Sequence, residues 1–359
     1  MKRITLCALL MTLFLLLSCG SGQQSVDSPN GGGAATGGSS LSSVLMDVSR
    51  SAENAFYAFL ELLSGTLGFT AKSTTKKEDV GGYFNSLGAK LGDASTELEK
   101  IAKKSETELD KGELNKIIRS AVDSAKSILN TLKTHLDSLK DIGDAKPVGE
   151  AASNAQGTAP TDVELKKAYN ALKGIVEESG KVGVPKPEAG NVAVKVGNAD
   201  NKDGVKVLAA GANAGAAVGD KAAAIVAAVS GEEILASIVK SQESDADAAL
   251  AVDATAQTTA LKFAKGGSAD NLSNSANSKA AAVAGGIALR SLVKTGKLAA
   301  GADDNATGGG KEVQGVGITA ANKLLVAVED IIKKTVKNVL KTAKEKIDEA
   351  IAPKEAAQQ

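Results

Sequence analysis

Apolar residues recur along this chain in steps of three and four, the period of a helix with one buried face. Residues 41–64 carry such a stripe in Leu41, Val44, Leu45, Val48, Ala52, Ala55, Phe56, Phe59, Leu60 and Leu63, and Gly65 and Gly68 end it. Val80, Phe84, Leu87, Leu91, Ala94, Leu98 and Ile101 follow at strict heptad spacing. A charged stretch then closes on Gly112. A second seam begins at Leu114 and continues through Ile118, Ala121, Ala125, Ile128, Leu132 and Leu139. Two such helices on a short polar loop predict an antiparallel pair. Thr161 with Glu164 reads as a capping box opening a helix to Gly180. Ala-rich helices are predicted over 220–229, 232–240 and 246–264, the second opened by Ser230 with Glu233, and another over 279–300. The last predicted helix covers 319–352. Its stripe is Leu325, Val328, Ile332, Val336, Val339, Ala343, Ile347 and Ile351, with Glu329–Lys333 and Asp330–Lys334 at pairing distance and Pro353 as a stop.

The intervening segments carry turn chemistry. Residues 143–160 and 266–278 read as surface loops, and 301–317 as a Gly-rich connection. Pro185 and Pro187 break the chain before a weak alternation over 191–196, enough for one short strand. The expected class is therefore all-α, mainly a helical bundle with at most one or two short strands. Packing helix 41–64 against helix 319–352 is the simplest burial of both terminal stripes, and it brings both chain ends to one base. The apolar seams can be satisfied within one chain or between copies, so a homo-oligomer stays open.

The first nineteen residues follow a different rule. Lys2-Arg3 precede a run of mostly apolar residues from Ile4 to Leu17, too short for a bilayer, which takes roughly 20 residues. The run ends in Leu16-Leu17-Ser18-Cys19, a bacterial lipoprotein processing site whose cysteine thiol accepts acyl chains. The expected organisation is a signal peptide over 1–18, a lipidated Cys19 with a flexible tether to residue 40, one helical domain over 41–352, and a disordered tail over 353–359. Residues 20–40, rich in Gly and Ser, have an r.m.s. reach of about 25 Å as a coil.

Charge and composition narrow the chemistry. The 359 residues hold 42 basic and 42 acidic side chains; losing Lys2 and Arg3 leaves 40 against 42, a balance of −2. A near-neutral body has no general pull toward nucleic acid. Aromatic residues are 3% and Trp is absent, a poor lining for a ligand pocket. Of two cysteines, Cys7 leaves with the signal peptide and Cys19 is used in anchoring, so no thiol is left for a metal or a nucleophile. The lone histidine, His135, cannot build a triad or a multi-histidine metal site within one chain and reads as a partly exposed structural residue. Gly308-Gly-Gly-Lys311 lacks the Ser or Thr and the preceding strand of a phosphate loop. Lys333, Lys334, Lys337, Lys341, Lys344 and Lys346 offer a binding face for anionic glycans, but Glu345, Asp348 and Glu349 balance them, and a solvated helix face is the simpler reading. The sequons at Asn271 and Asn305 carry no expectation of use. No enzyme activity, cofactor or metal is expected.

Three long segments, Val218 to Val239, Ala280 to Ala299 and Gly308 to Asp330, resemble the variable large proteins of relapsing-fever Borrelia, and the related Vls surface antigen of Lyme-disease Borrelia has a similar layout. The resemblance implies a mostly helical outer-surface lipoprotein, lipid-anchored in the cell outer membrane and facing outward. It implies N-palmitoyl and S-diacylglycerol groups on Cys19. It also implies antigenic variation, in which one allele is expressed at a time, host antibody is the partner, and switching evades it. A second reading is an adhesin for host glycosaminoglycans or proteins.

Overall fold

The computed structural model describes residues 67–108, 113–152, 156–196, 199–210, 214, 217–274, 276–301 and 311–351. The expected signal peptide, Cys19, the tether, helix 41–64 and the tail lie outside these residues, as does the packing of the two terminal helices. Helices α1 (Lys77–Glu108) and α2 (Glu113–Leu139) are the predicted pair. Their seams are buried from Val80 to Ile101 and from Ile118 to Leu139, except that Ile128 is half-buried and Leu129 takes the buried place. Gly88 lies against Leu136, Gly92 against Lys133, Glu99 against Lys126 and Glu106 against Arg119, so one index rises as the other falls and the pair is antiparallel.

Helix α3 (Asp162–Gly180) returns along α2, with Gly174 facing His135. A two-stranded antiparallel hairpin (β1, Lys195–Val196; β2, Ala199–Asp200) and a 3-10 turn over Lys202–Leu208 lead into short helices α4 (Gly219–Ala227) and α5 (Gly231–Val239). Then come α6 (Ala260–Lys265), α7 (Ala269–Ser273), α8 (Ala280–Leu292) and α9 (Lys311–Ile351). The all-α expectation holds. All 13 residues of α8 are buried. Their small side chains allow close crossings: Ser237 of α5 donates to the Ala281 carbonyl at 2.8 Å. The 41 residues of α9 span about 60 Å at 1.5 Å per residue and pack against α2, α3, α4, α5 and α8.

Several expectations need correction. Residues 246–264 are not one helix. A 3-10 turn over Glu243–Ala246 is followed by non-helical chain to α6, because hydroxyls compete for backbone groups. Thr255 N–H donates to Thr258 Oγ1 at 2.9 Å, Gln257 N–H donates to Thr255 Oγ1, and Thr259 caps α6 while donating to Asp245. The helix predicted over 279–300 stops at Leu292. Beyond it Thr295 takes φ 64°, and Leu298 and Lys297 exchange backbone hydrogen bonds with Glu150, Ala152 and Thr158. Residues 143–160 are therefore not simply a surface loop, since Val148 and Ala152 are buried under these bonds. Residues 266–278 likewise bury Leu272, Ser273 and Ser278. The Gly-rich connection ends early: residues 311–317 already belong to α9.

Candidate functional site

The molecule divides into two kinds of construction. At one side stand the long helices α1, α2 and α9, joined by continuous seams. At the other, α4 to α7 and the connecting segments are too short to be stable alone. Their apolar faces are buried in the common core, and cations reaching across from distant helices to carbonyl oxygens tie their ends. Arg290 of α8 is fully buried and pairs with no carboxylate among the described residues. Its Nε and Nη2 donate to the Ala264 carbonyl in the last turn of α6, at 3.0 and 2.8 Å, and its Nη1 donates to the Ala209 carbonyl at 3.3 Å. Burial lowers its pKa to about 9, so it is still a cation at neutral pH. Gly266, at φ 70°, passes so close to the guanidinium that a β-carbon there would overlap it.

Lys323 of α9 does the same for α4. Its Nζ donates to the carbonyls of Val226 and Val229 at 2.8 and 2.6 Å, closing the C-terminal end of that helix where the dipole is negative. Lys77, fully buried at the start of α1, donates to Gly296 and Val293 carbonyls at 2.5 and 3.3 Å, beyond the end of α8. Burial holds its pKa below the usual lysine value against the opposing pull of Asp144. Sequence reasoning missed all three. The one available signal was a lone arginine inside the Ala/Gly run of 280–292.

The predicted site residues fall apart rather than together. His135 is half-buried on α2 with its imidazole over Gly174, where a side chain would overlap the ring. Burial lowers its pKa, opposed by Glu178 and Glu177. Lys311 opens α9, while Gly308 to Gly310 lie outside the described residues. Asn271 and Ser273 belong to α7, and Asn305 is outside. Among the described residues no cluster of metal-ligating side chains occurs, and no single helix is long and apolar enough to cross a membrane. The void at the meeting of α1, α2, α3, α8 and α9, lined by Phe84, Leu139, Leu172, Leu292 and Leu325, is about 10 Å³. That is room for one water at most.

The lysines of α9 are exposed as expected, with a different partnership. The Glu329–Lys333 pair does not form. Glu329 turns inward, is 7% exposed, and accepts hydrogen bonds from the Tyr83 hydroxyl and the Gly68 N–H. Burial and the Glu329 carboxylate raise the Tyr83 pKa. The Thr161–Glu164 capping box is also absent. Thr161 makes no side-chain cap, and Glu164 pairs with Lys294 at 2.8 Å.

A family model described as "Borrelia lipoprotein" matches residues 52–347. The chain belongs to the Borrelia lipoprotein family. Within that family, Variable large protein 25 of Borrelia hermsii is 64% identical over 97% of this chain and 96% of its own length. Variable large protein 21 of the same organism is 59% identical over 100% of this chain and 98% of its own. Among solved structures, the variable surface antigen VlsE of Borrelia burgdorferi aligns with TM-score 0.68 and 24% identity over 85% of this chain and 98% of that one. The fold is thus VlsE-like: long helices framing a set of short ones.

Proposed function

We propose that the chain is an outer-surface lipoprotein antigen whose alleles are switched to evade host antibody. One observation carries the reading. Four variable large proteins of a single organism match this chain at 56 to 64% identity over nearly its whole length, and others match at 27 to 29%. Many diverged copies on one fold are what a repertoire of interchangeable antigens needs. The construction supports the same reading. Seams and cation staples are internal, so exposed positions of the helix ends and connecting segments can change with little cost to the core. Val163 and Val252 are among the most exposed, and Glu188 and Gln257 also face solvent. Antibody escape should fall on such positions, and not on the buried parts of 143–160 and 266–278.

Cys19 is the anchoring residue in this proposal, with N-palmitoyl and S-diacylglycerol groups holding the body to the outer leaflet. The chain enters the described fold at Leu67 beside Glu329, 22 residues before Ile351. In this proposal the short elements are the face the host meets.

Protease treatment of intact cells tests the location. Digestion without lysis is expected, and full protection would move the protein to the periplasm and end the antigen reading. Mass spectrometry of the mature N-terminal peptide should give an acylated Cys19.

A further inference from the structure

We propose that residues 249–252, between α5 and α6, form an open sheet edge that takes an extended segment of another protein, one of small apolar residues flanked by lysine or arginine. The inference goes beyond the antigen reading and does not depend on it. Single-residue β-bridges join the connecting segments side by side: Leu250 to Gly267, Gly267 to Ala209, Ala210 to Gly157, Thr158 to Lys297, and Leu298 to Ala151. Leu250 stands at one end of that row. Its N–H donates to the Gly266 carbonyl at 2.6 Å, and its side chain packs on the core. Successive residues of an extended strand direct their backbone groups to opposite sides, so those of Ala249 and Ala251 turn away from Gly267. They make no hydrogen bond among the described residues, and Ala249, Ala251 and Val252 all face solvent.

The plain reading of so short an edge is a protected one, since edges are guarded by charge or proline against pairing. The guards here stand at its ends and not on it. Asp247 is held by Lys166, and Asp253 accepts from the Asn274 side-chain amide. Between them residues 248–252 read Ala-Ala-Leu-Ala-Val, with no charge and no proline, and Val252 is 70% exposed. Lys262 Nζ donates to the Ala248 carbonyl at 3.3 Å, which closes the run at that end and leaves four residues open. The rim also selects by charge. Glu243 accepts from Asn170 at 3.1 Å, Asp245 from the Thr259 hydroxyl at 2.8 Å, and Asp253 from Asn274, all neutral donors. Three carboxylates near the edge thus keep their charge against the single ammonium group of Lys262. A second copy pairing edge to edge would bring three more carboxylates to the same place, whereas lysine or arginine beside the paired residues neutralises them. Main-chain hydrogen bonds supply the affinity and the acidic rim chooses the partner. Four paired residues make a small contact, so binding is weak and falls with salt.

The test uses the purified full chain in neutral detergent micelles and a fluorescent peptide of alternating valine and alanine with two lysines at each end. At about 50 mM salt, wild type should bind it above the signal of empty micelles, and binding should weaken as salt rises. Methylating the interior amide nitrogens of the peptide removes its N–H donors and leaves its charge; affinity should fall by at least about tenfold. Replacing its lysines by glutamates should do the same, by about tenfold. On the protein side, Ala251→Lys places a guard on the open edge and should also lose about tenfold. Asp253→Ser should lose about threefold and flatten the salt dependence. Both positions are exposed, so circular dichroism and Tm should match wild type. Amide hydrogen exchange should show protection gained at Ala249 and Ala251 when the peptide binds. Four results would overturn the proposal: no binding at the lowest salt, equal binding of the methylated peptide, equal binding of the glutamate peptide, or self-association that Ala251→Lys abolishes while the peptide is ignored, which would give the edge to a second copy.

Discussion

The α1–α2 pair and the cap around α8 solve the same problem in opposite ways. In the pair, each residue of the seam removes its own apolar surface from water against a neighbour one turn away, and stability accumulates along the length. Leu87, Leu91, Leu132 and Leu136 are each fully buried, and loss of one leaves the others in place. The cap has helices of five to nine residues that cannot repeat anything. Its short helices bury apolar residues such as Ile234 and Phe263, but a few long-range polar contacts join them, and a single side chain can serve several elements at once. A repeated seam degrades gradually under substitution, whereas a staple fails all at once.

The largest expected effect follows from that difference. Arg290→Ala empties the site beneath Gly266 and leaves the Ala264 carbonyl without its donor. A cost of about 3–5 kcal/mol is expected from cavity and unsatisfied carbonyl together. Amide hydrogen exchange should localise it: protection is lost in 207–210 and 250–267 and retained in α1 and α2. Uniform loss over both regions would mean that the cap and the pair are one cooperative unit and would break the comparison. Arg290→Met keeps the volume and removes the buried charge, so it should recover part of the loss.

The next effect lies where α1 meets α9. Tyr83 on α1 donates to Glu329 on α9, and the same carboxylate accepts the Gly68 N–H. Tyr83→Phe leaves a buried carboxylate one donor short, for about 1–3 kcal/mol, read as a shift of the denaturant midpoint. Tyr83→Phe with Glu329→Gln should cost less than the sum of the two single changes, because the partners are coupled.

These residues also mark where sequence reading stops. The seams of α1, α2 and α9 were legible because a helical period is a statement about neighbours in sequence, and their burial is decided by that period. The Ser230–Glu233 capping box was legible for the same reason and is formed, with Ser230 Oγ accepting from Glu233 N–H at 3.1 Å and Glu233 accepting from Ser230 N–H at 2.7 Å. The Thr161–Glu164 box looked equivalent and failed because Lys294, 130 positions away, holds the glutamate. The broken helix at 293–300 failed likewise, since Asp144 and Lys77 supply partners that no local window contains, whereas at 247–259 neighbouring hydroxyls of Thr255, Thr258 and Thr259 take the backbone groups. The inward Glu329 was hidden because its partner Tyr83 is itself on a different helix. Ser230→Ala puts a size on the local kind of signal. It should cost about 1 kcal/mol, felt at α5 and measured as a midpoint shift, well below the loss at Arg290.

The smallest effect concerns His135, on the α2 surface that meets α3. Its imidazole lies over Gly174 and is half-buried, and burial depresses its pKa below the ordinary histidine value even with Glu178 and Glu177 pulling the other way and Lys181 adding to the depression. A group depressed in this way binds fewer protons when the protein is folded than when it is unfolded. Its contribution is intact above the ordinary histidine pKa, near 6.5, and is lost as pH falls from there through the folded-state value. Melting curves of wild type and His135→Gln should therefore converge or stay parallel at pH 7.5 and above, while wild type loses more Tm than the variant on going to about pH 5.5. Carboxylates that titrate at lower pH are common to both proteins and cancel in the difference. The α2–α3 contact is a lateral one between repeated helices, so the loss should be a few degrees at most and should leave protection in the cap unchanged. An acid shift equal in the two proteins would remove His135 as its source. A shift that appeared first in the cap would instead mean that the staples at Lys77 and Arg290 feel the charge of this imidazole, and the two regions would have to be treated as one.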